Sequence, residues 1–343
     1  MDYFPRLLEG GYEGLHFFTD AATGLRALVA LHSTKLGPGL GGTRALTTYA
    51  DETEAVLDVI RLARGMTYKA ALAGLPHGGG KAVIMLPSGP FDRALLFQSF
   101  GRAVETLGGR YITTEDSGTN PGDMLQVRKG TRHAVGLEGA SGDPSPVTAF
   151  GVARGIEAVA KHVWGRSDCK GLKVSVMGVG HVGLALCEEL HRRGAKLFVS
   201  DVQPQRVEQA VRKFGATALS EQELLRADAD LYAPCALGGA INDQTLPLLR
   251  VKAVAGAANN QLQEPRHGEE LARRGIVYAP DYAINSGGLI NVAHEVVGYD
   301  RDKAYSRAAA IHETIELILT RAQQSGQRPE QVADRIVEER LAS

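Results

Sequence analysis

Apolar positions recur along this chain in two rhythms. After Asp51, the residues Val56, Val59, Ile60, Ala63 and Thr67 return every three or four positions, the spacing of one helix face. Asp51 with Glu54 three residues on supplies a capping pattern, so a helix is predicted from there to about Leu72. Ala149–Val163 and Val182–Arg193 also read as helices. Short apolar runs of strand length alternate with such stretches: Val29–His32, Lys81–Leu86, Tyr111–Thr114, Lys173–Met177, Leu197–Ser200 and Val251–Ala255. Gly37–Gly42 reads as a glycine-rich loop after the first of these, and Gly78–Gly80 as a glycine run in front of the second. Pro329 to Ser343 is a charged amphipathic helix with Val332, Ile336 and Leu341 on its apolar side. Alternating strand and helix predicts an α/β fold built on parallel sheet with helices on both faces.

One segment breaks the rhythm. Gly136–Pro146 crowds glycines, prolines and serines together, resists helix and strand alike, and marks the domain boundary. A length of 343 residues leaves room for about two domains. With 44% apolar and 22% charged residues the chain is neither disordered nor fibrous. Its 41 glycines are nearly double the usual share of ~7%, so backbone must turn sharply or pass close to something in many places. A net charge of −1 gives no broad footprint for nucleic acid. No apolar run reaches the ~18 residues that span a bilayer, and Met1–Gly10 lacks the layout of a secretory signal. Cys169, Cys187 and Cys235 are odd in number and far apart, which fits reduced thiols in a cytoplasmic protein.

Gly178-Val179-Gly180-His181-Val182-Gly183 fits the dinucleotide fingerprint G-x-G-x-x-G. It follows a predicted strand and opens a predicted helix, and a second strand ends in Asp201 about twenty residues on. Gly178 permits the tight turn, Gly180 lets backbone approach a pyrophosphate, and Gly183 lets the helix pack close. The helix start, at His181 and Val182, offers free N–H groups to phosphate. Asp201 can accept both ribose hydroxyls and repel a 2′-phosphate, and no arginine follows before Arg206, so NAD is the expected cofactor.

The first half carries other chemistry. Lys69 lies near the end of an apolar helix, and Lys81 begins an apolar strand behind three glycines that leave room for a substrate. A lysine in apolar surroundings is costly to keep charged, which suits acid–base work. Asp116 sits just past a strand end, where catalytic groups of open α/β folds gather. Blander readings remain open: Lys69 can snorkel, Lys81 can be a solvated strand start, and Asp116 can cap its turn. The histidines show no ligand spacing, and no metal is expected.

Five runs together resemble the amino-acid dehydrogenases that act on glutamate, leucine, phenylalanine and valine. They are Leu36–Arg44, Gly65–Val83, Tyr111–Asp116, Pro144–Gly151 and Ala257–Gln261. Tyr232–Leu237 and Glu264–Gly268 draw the likeness toward the leucine dehydrogenase branch, and it covers essentially the whole chain. The resemblance implies a substrate and oligomerisation domain over 1–135 and about 325–343, and a Rossmann NAD-binding domain over 136–324. It implies that Lys69 pairs with the substrate carboxylate, Lys81 is the catalytic lysine, and Asp116 exchanges a proton with the substrate amine. Gly41 and Asn260 match substrate-binding positions, and Leu40, Thr114, Leu289 and Val292 match the side-chain pocket. Thr148 and Asn285 match contacts to the nicotinamide amide, while Cys235, Ala236, Ala257 and Asn259 match further cofactor positions.

The expected reaction is therefore reversible oxidative deamination of an apolar amino acid with NAD, by a homo-oligomer whose cleft closes around the substrate. Thr114 stands where the family has a small residue, and Leu289 where leucine-preferring members have Val, so a phenylalanine-type substrate is the alternative. His77 is atypical too, either structural or tuning Lys81. The tail is shorter than in octameric members, which leaves the assembly size open. A non-catalytic NAD-binding regulator on the same scaffold would not need both lysines and the aspartate.

Overall fold

The computed structural model describes residues 3–137 and 142–342. The chain divides into two units: Met1–Gly142 with Val292–Arg301 and Arg340–Ser343, and Asp143–Asn291 with Asp302–Glu339. The division falls inside the expected boundary segment Gly136–Pro146, of which residues 138–141 lie outside the described residues.

In the first unit five strands form one sheet: β1 (Gly14–Asp20), β2 (Leu25–Ser33), β3 (Gly39–Leu46), β4 (Gly78–Met85) and β5 (Tyr111–Glu115). Their order is β1-β2-β4-β3-β5. β3 runs parallel to β4 and β5, but β1–β2 and β2–β4 are antiparallel, so this sheet is mixed where alternation alone predicts a parallel one. A four-residue link between β1 and β2 can only return the chain antiparallel.

The expected loop Gly37–Gly42 is mostly strand, since Gly39–Gly42 pair with β5, and Gly78–Gly80 lie inside β4 rather than before it. These glycines serve the sheet because another part of the chain presses on it there.

Burial on both faces follows from period-two alternation. Leu25, Ala27, Val29, Leu31, Ala45, Ala82 and Ile84 pack with Phe97 and Phe100 of the Arg93–Glu105 helix. Leu28, Ala30 and Val83 point the other way, onto Ala55, Val56, Val59 and Ala63 of α1 (Glu52–Leu72). The Asp51 carboxylate accepts the Glu54 N–H at 2.9 Å and Glu54 accepts the Ala50 N–H at 2.7 Å, so α1 starts where its capping pattern predicts.

The second unit holds six strands: β6 (Lys173–Met177), β7 (Lys196–Ser200), β8 (Thr217–Ala218), β9 (Leu231–Pro234), β10 (Ala253–Val254) and β11 (Val277–Tyr278). The order is β11-β10-β9-β6-β7-β8, every neighbour parallel. Counted from β6, this is the doubly wound 3-2-1-4-5-6 arrangement, whose switch point lies between β6 and β9. Helices α2 (Ser145–Trp164), α3 (His181–Arg192), α4 (Pro204–Phe214), α5 (Gly287–Ala293) and α6 (Pro329–Ala342) matter below.

α6 is helical as its pattern predicts and buries Val332, Ala333, Ile336 and Val337, while Leu341 is only half-buried. Tyr282 donates to Asp334 at 2.6 Å and to the Glu330 carbonyl at 3.1 Å, tying α6 to the second unit. Most of the segment 325–343, expected with the first domain, therefore falls in the second, and the first unit takes Val292–Arg301 and the chain from Arg340 onward.

Candidate active site

Lys81 lies on β4 between Gly80 and Ala82, and alternation turns it, like Val83, toward the face that α1 covers. A Cβ on Gly79 would lie 2.1 Å from the Thr67 N and 2.6 Å from the Ala63 carbonyl oxygen, so α1 rests directly on the strand there. The last turn of α1, carrying half-buried Lys69, is thereby laid along the strand that carries Lys81.

Asp116 follows β5. Its N–H donates to the Thr119 hydroxyl at 2.8 Å, and that hydroxyl donates to the Thr43 carbonyl at 3.0 Å, closing the turn onto β3. A Cβ on Gly42 would come within 2.7 Å of the Asp116 Cβ, so only glycine lets the aspartate fold back over the sheet. It meets the Lys81 ammonium in an ion pair, with the Lys81 side chain 7% exposed and that of Asp116 23%. Burial by itself would raise the Asp116 carboxyl, but Lys81, a Ser117 hydrogen bond and Arg44 outweigh it and hold the group below the usual carboxylate range. Asp116 is thus held as the carboxylate, in contact with the Lys81 side chain.

Leu40 is fully buried on β3, and Thr114, on β5 opposite Gly42, is buried with its hydroxyl unpaired. A Cβ on Gly41 would lie 1.9 Å from the Gly80 carbonyl oxygen, so β3 and β4 touch at that point. Leu289 and Val292 are three residues apart on α5, the first buried and the second half-buried. His77 is buried at the foot of β4 and bonds the Pro38 backbone; burial pushes its ring below the usual imidazole range. That contact fits the structural reading of His77.

In the second unit the glycine cluster sits at the switch point. The Cys235 N–H donates to the Met177 carbonyl at 2.7 Å, setting Ala236 against Gly178, whose φ of +92° suits glycine. A Cβ on Gly183 would lie 1.9 Å from the Gly178 carbonyl oxygen, so α3 packs onto the turn as the fingerprint requires. A Cβ on Gly180 would meet only the Arg206 Nη1, at 3.6 Å, and the His181–Val182 helix start stands beside this open backbone.

Asp201 accepts the Val179 N–H and the Gln203 N–H, each at 2.8 Å, which fixes the carboxylate beside the turn. Arg206 of α4 reaches to 3.9 Å from Asp201. The arginine that sequence spacing sets aside thus stands beside Asp201.

Asn285 donates to the Ala257 carbonyl at 3.1 Å and to Asn259 Oδ1 at 2.8 Å, and its own Oδ1 is buried and unpaired. Thr148 donates to the Pro144 carbonyl at 2.9 Å, leaving lone pairs free to accept. An orphaned acceptor in the same unit as a helix-start cradle is what a dinucleotide with a carboxamide end would satisfy, so these residues fit that cofactor. Asn260 has φ +51°, the one left-handed non-glycine among the described residues, held by its N–H bond to Asp281 at 2.7 Å.

A doubly wound dinucleotide fold joined to a unit bearing a buried lysine–carboxylate pair defines a pyridine-nucleotide-dependent oxidoreductase of the amino-acid dehydrogenase class. Residues 15–133 match the family described as Glu/Leu/Phe/Val dehydrogenase, dimerisation domain, and residues 198–331 the one described as Glutamate/Leucine/Phenylalanine/Valine dehydrogenase. Leucine dehydrogenase of Bacillus subtilis is 47% identical over 99% of this chain and 94% of that protein. L-tryptophan dehydrogenase of Nostoc punctiforme is 44% identical over 99% and 96%, and valine dehydrogenase of Streptomyces virginiae 47% over 97% and 95%. The crystal structure of the Nostoc punctiforme tryptophan enzyme superposes with a TM-score of 0.90, covering 99% of this chain and 98% of that one at 41% identity. The chain belongs to the Glu/Leu/Phe/Val dehydrogenase family.

Sequence reasoning singled out Lys81 and Asp116 separately, and the fold joins them. It passed over Arg44, although Arg44 closes the quoted run Leu36–Arg44 two residues beyond Gly42.

Proposed function

We propose that the chain catalyses reversible NAD-dependent oxidative deamination of an apolar L-amino acid of the leucine, valine or isoleucine type, yielding the 2-oxo acid, ammonia and NADH. The observation that carries this reading is the Lys81–Asp116 ion pair, an acid and a base in contact beneath a helix that brings a second lysine, Lys69. In this reading Lys69 binds the substrate carboxylate, Asn260 helps to hold it, and Gly41 lies at the same substrate site. Asp116 takes the proton of the substrate ammonium, since the amine must be neutral before hydride can leave the α-carbon. Nicotinamide, held by Thr148 and Asn285 with its pyrophosphate on Gly178–Gly183, supplies the hydride acceptor when bound. Lys81 then assists attack of water on the imine carbon and stabilises the carbinolamine, and Asp116 returns a proton as ammonia departs.

Asp201 supports NAD over NADP through charge repulsion of a 2′-phosphate. Cys235, Ala236, Ala257 and Asn259 complete the cofactor contacts, and Leu40, Thr114, Leu289 and Val292 the side-chain pocket. The match to the family's dimerisation domain over residues 15–133 supports a homo-oligomer.

One observation favours a second reading, an aromatic substrate. The Thr114 hydroxyl is buried without a partner, and the indole N–H of a tryptophan side chain would satisfy it, whereas phenylalanine offers no such donor. The L-tryptophan dehydrogenase relatives agree with that alternative. A panel of leucine, valine, isoleucine, norleucine, phenylalanine and tryptophan, followed by NADH absorbance, decides between them. Fastest kcat/KM on a branched aliphatic acid supports the first reading, and on phenylalanine or tryptophan the second. No NADH from any of the six would refute both.

A further inference from the structure

Arg44 takes no part in the chemistry just described, yet it is built into the same cluster. It stands on β3 on the face covered by α1, with 22% of its side chain exposed. Its Nη1 donates to Asp58 Oδ2 at 2.8 Å. Its Nε is buried without a hydrogen-bond partner, 3.7 Å from Asp116 Oδ2, the same oxygen that meets Lys81. Asp58, on α1, is itself held: the Tyr49 hydroxyl donates to its Oδ2 and Arg61 to its Oδ1, each at 2.8 Å. A continuous chain of charges therefore runs from the helix through Asp58, Arg44 and Asp116 to Lys81.

The proposed reaction needs such a device. Lys81 must turn from Asp116 toward the reacting carbon, and at that moment the carboxylate loses its nearest cation while still having to hold its place and accept a proton. A guanidinium stays protonated throughout and cannot compete as an acid. Standing 3.7 Å away, Arg44 lies within an ångström of hydrogen-bond contact when the lysine leaves.

We propose that Arg44 is the positioning residue for Asp116: clamped to α1 through Asp58, it fixes the carboxylate's orientation and keeps it ionised while Lys81 serves the substrate. This inference rests on the proposed deamination. The groups facing Asp116 are Lys81 from β4, Arg44 from β3, the neutral buried phenol of Tyr111 from β5, the adjacent Glu115, and the Ser117 and Thr119 hydroxyls of its own turn. Those facing Arg44 are Asp58, with Tyr49 and Arg61 behind it, and Asp116. Arg44 and Lys81 are the two cations beside Asp116 in this set, so removing one shifts its titration in a known direction.

The test is a comparison of Arg44→Met, Arg44→Lys, Asp58→Asn and Asp116→Asn across pH, in the deamination direction. Arg44→Met is expected to lower kcat at least tenfold with KM for the amino acid within twofold. It is also expected to move the acid break of kcat/KM upward by at least half a pH unit. Arg44→Lys keeps the charge and restores the break to the parent's position. Asp58→Asn removes the anion competing for Arg44, so its acid break stays or moves down. Parental kcat and pH profile in Arg44→Met overturn the proposal, and so does a loss of kcat with an unmoved break, the signature of mere packing. If Arg44→Met does not fold, an upward break in Asp58→Asn or Arg44→Lys overturns it instead. Full turnover in Asp116→Asn sinks the deamination reading itself. An inactive Asp116→Asn beside a normal Arg44→Met removes only the role given to Arg44.

Discussion

Replacing Lys81 with Met isolates the ion pair, because the thioether fills similar volume without charge. Removing one partner of a buried pair costs roughly 3–5 kcal/mol when the other is left fully buried. Asp116 keeps 23% of its side chain exposed and retains Arg44 at 3.7 Å, so about half of that, ~2 kcal/mol at pH 7, is expected. On a unit of this size that corresponds to a fall in melting midpoint of about 4–8 °C.

The sign with pH follows from the lowered carboxyl of Asp116. A depressed carboxyl contributes stability that is present above its unfolded value, near 3.9, and lost as pH falls through the folded value. The gap between parent and Lys81→Met is therefore full from pH 7 down to about pH 4 and narrows only as the buffer is taken below that. Adding Asp116→Asn to Lys81→Met removes the stranded charge and recovers about 1 kcal/mol. Turnover in Lys81→Met drops by about 10²–10⁴, the usual weight of a positioned acid–base group. Scanning calorimetry at pH 7 and at about pH 3, with NADH absorbance for activity, reads all of these. A melting gap that is absent at pH 7, or constant with pH, would show that Lys81 and Asp116 are not paired in solution.

Three further outcomes follow from the same geometry. Asp116→Asn should stop deamination by at least a hundredfold while leaving NAD binding, followed by calorimetric titration, within twofold, since the amide cannot take the amine's proton. Gly183→Ala would set a Cβ 1.9 Å from the Gly178 carbonyl oxygen, so dinucleotide binding should weaken by at least tenfold in the same titration; parental affinity would mean the turn is not the cradle. Asp201→Arg, beside Arg206, should weaken 5′-AMP binding and strengthen 2′,5′-ADP binding, whereas unchanged preference would remove Asp201 from the ribose site.

The sequence by itself determined the local pieces of this protein. The Asp51–Glu54 cap and the 3.6-residue pattern define α1, and the fingerprint with its flanking strand and helix defines the cradle, because each depends on contacts only a few residues apart. What only tertiary structure decided is everything that rests on register between distant segments. The glycines of β3 and β4 look like loop until the sheet shows that α1, Asp116 and neighbouring backbone press on them. β8, β9 and β11 run to only two to four residues, too brief a pattern to stand out, and β1 lies at the edge of its sheet. Arg44 and Asp116 are 72 positions apart, so their partnership has no periodicity to betray it. An ion pair is a fact of three-dimensional distance, and one-dimensional spacing carries it only when both partners share a helix or a turn.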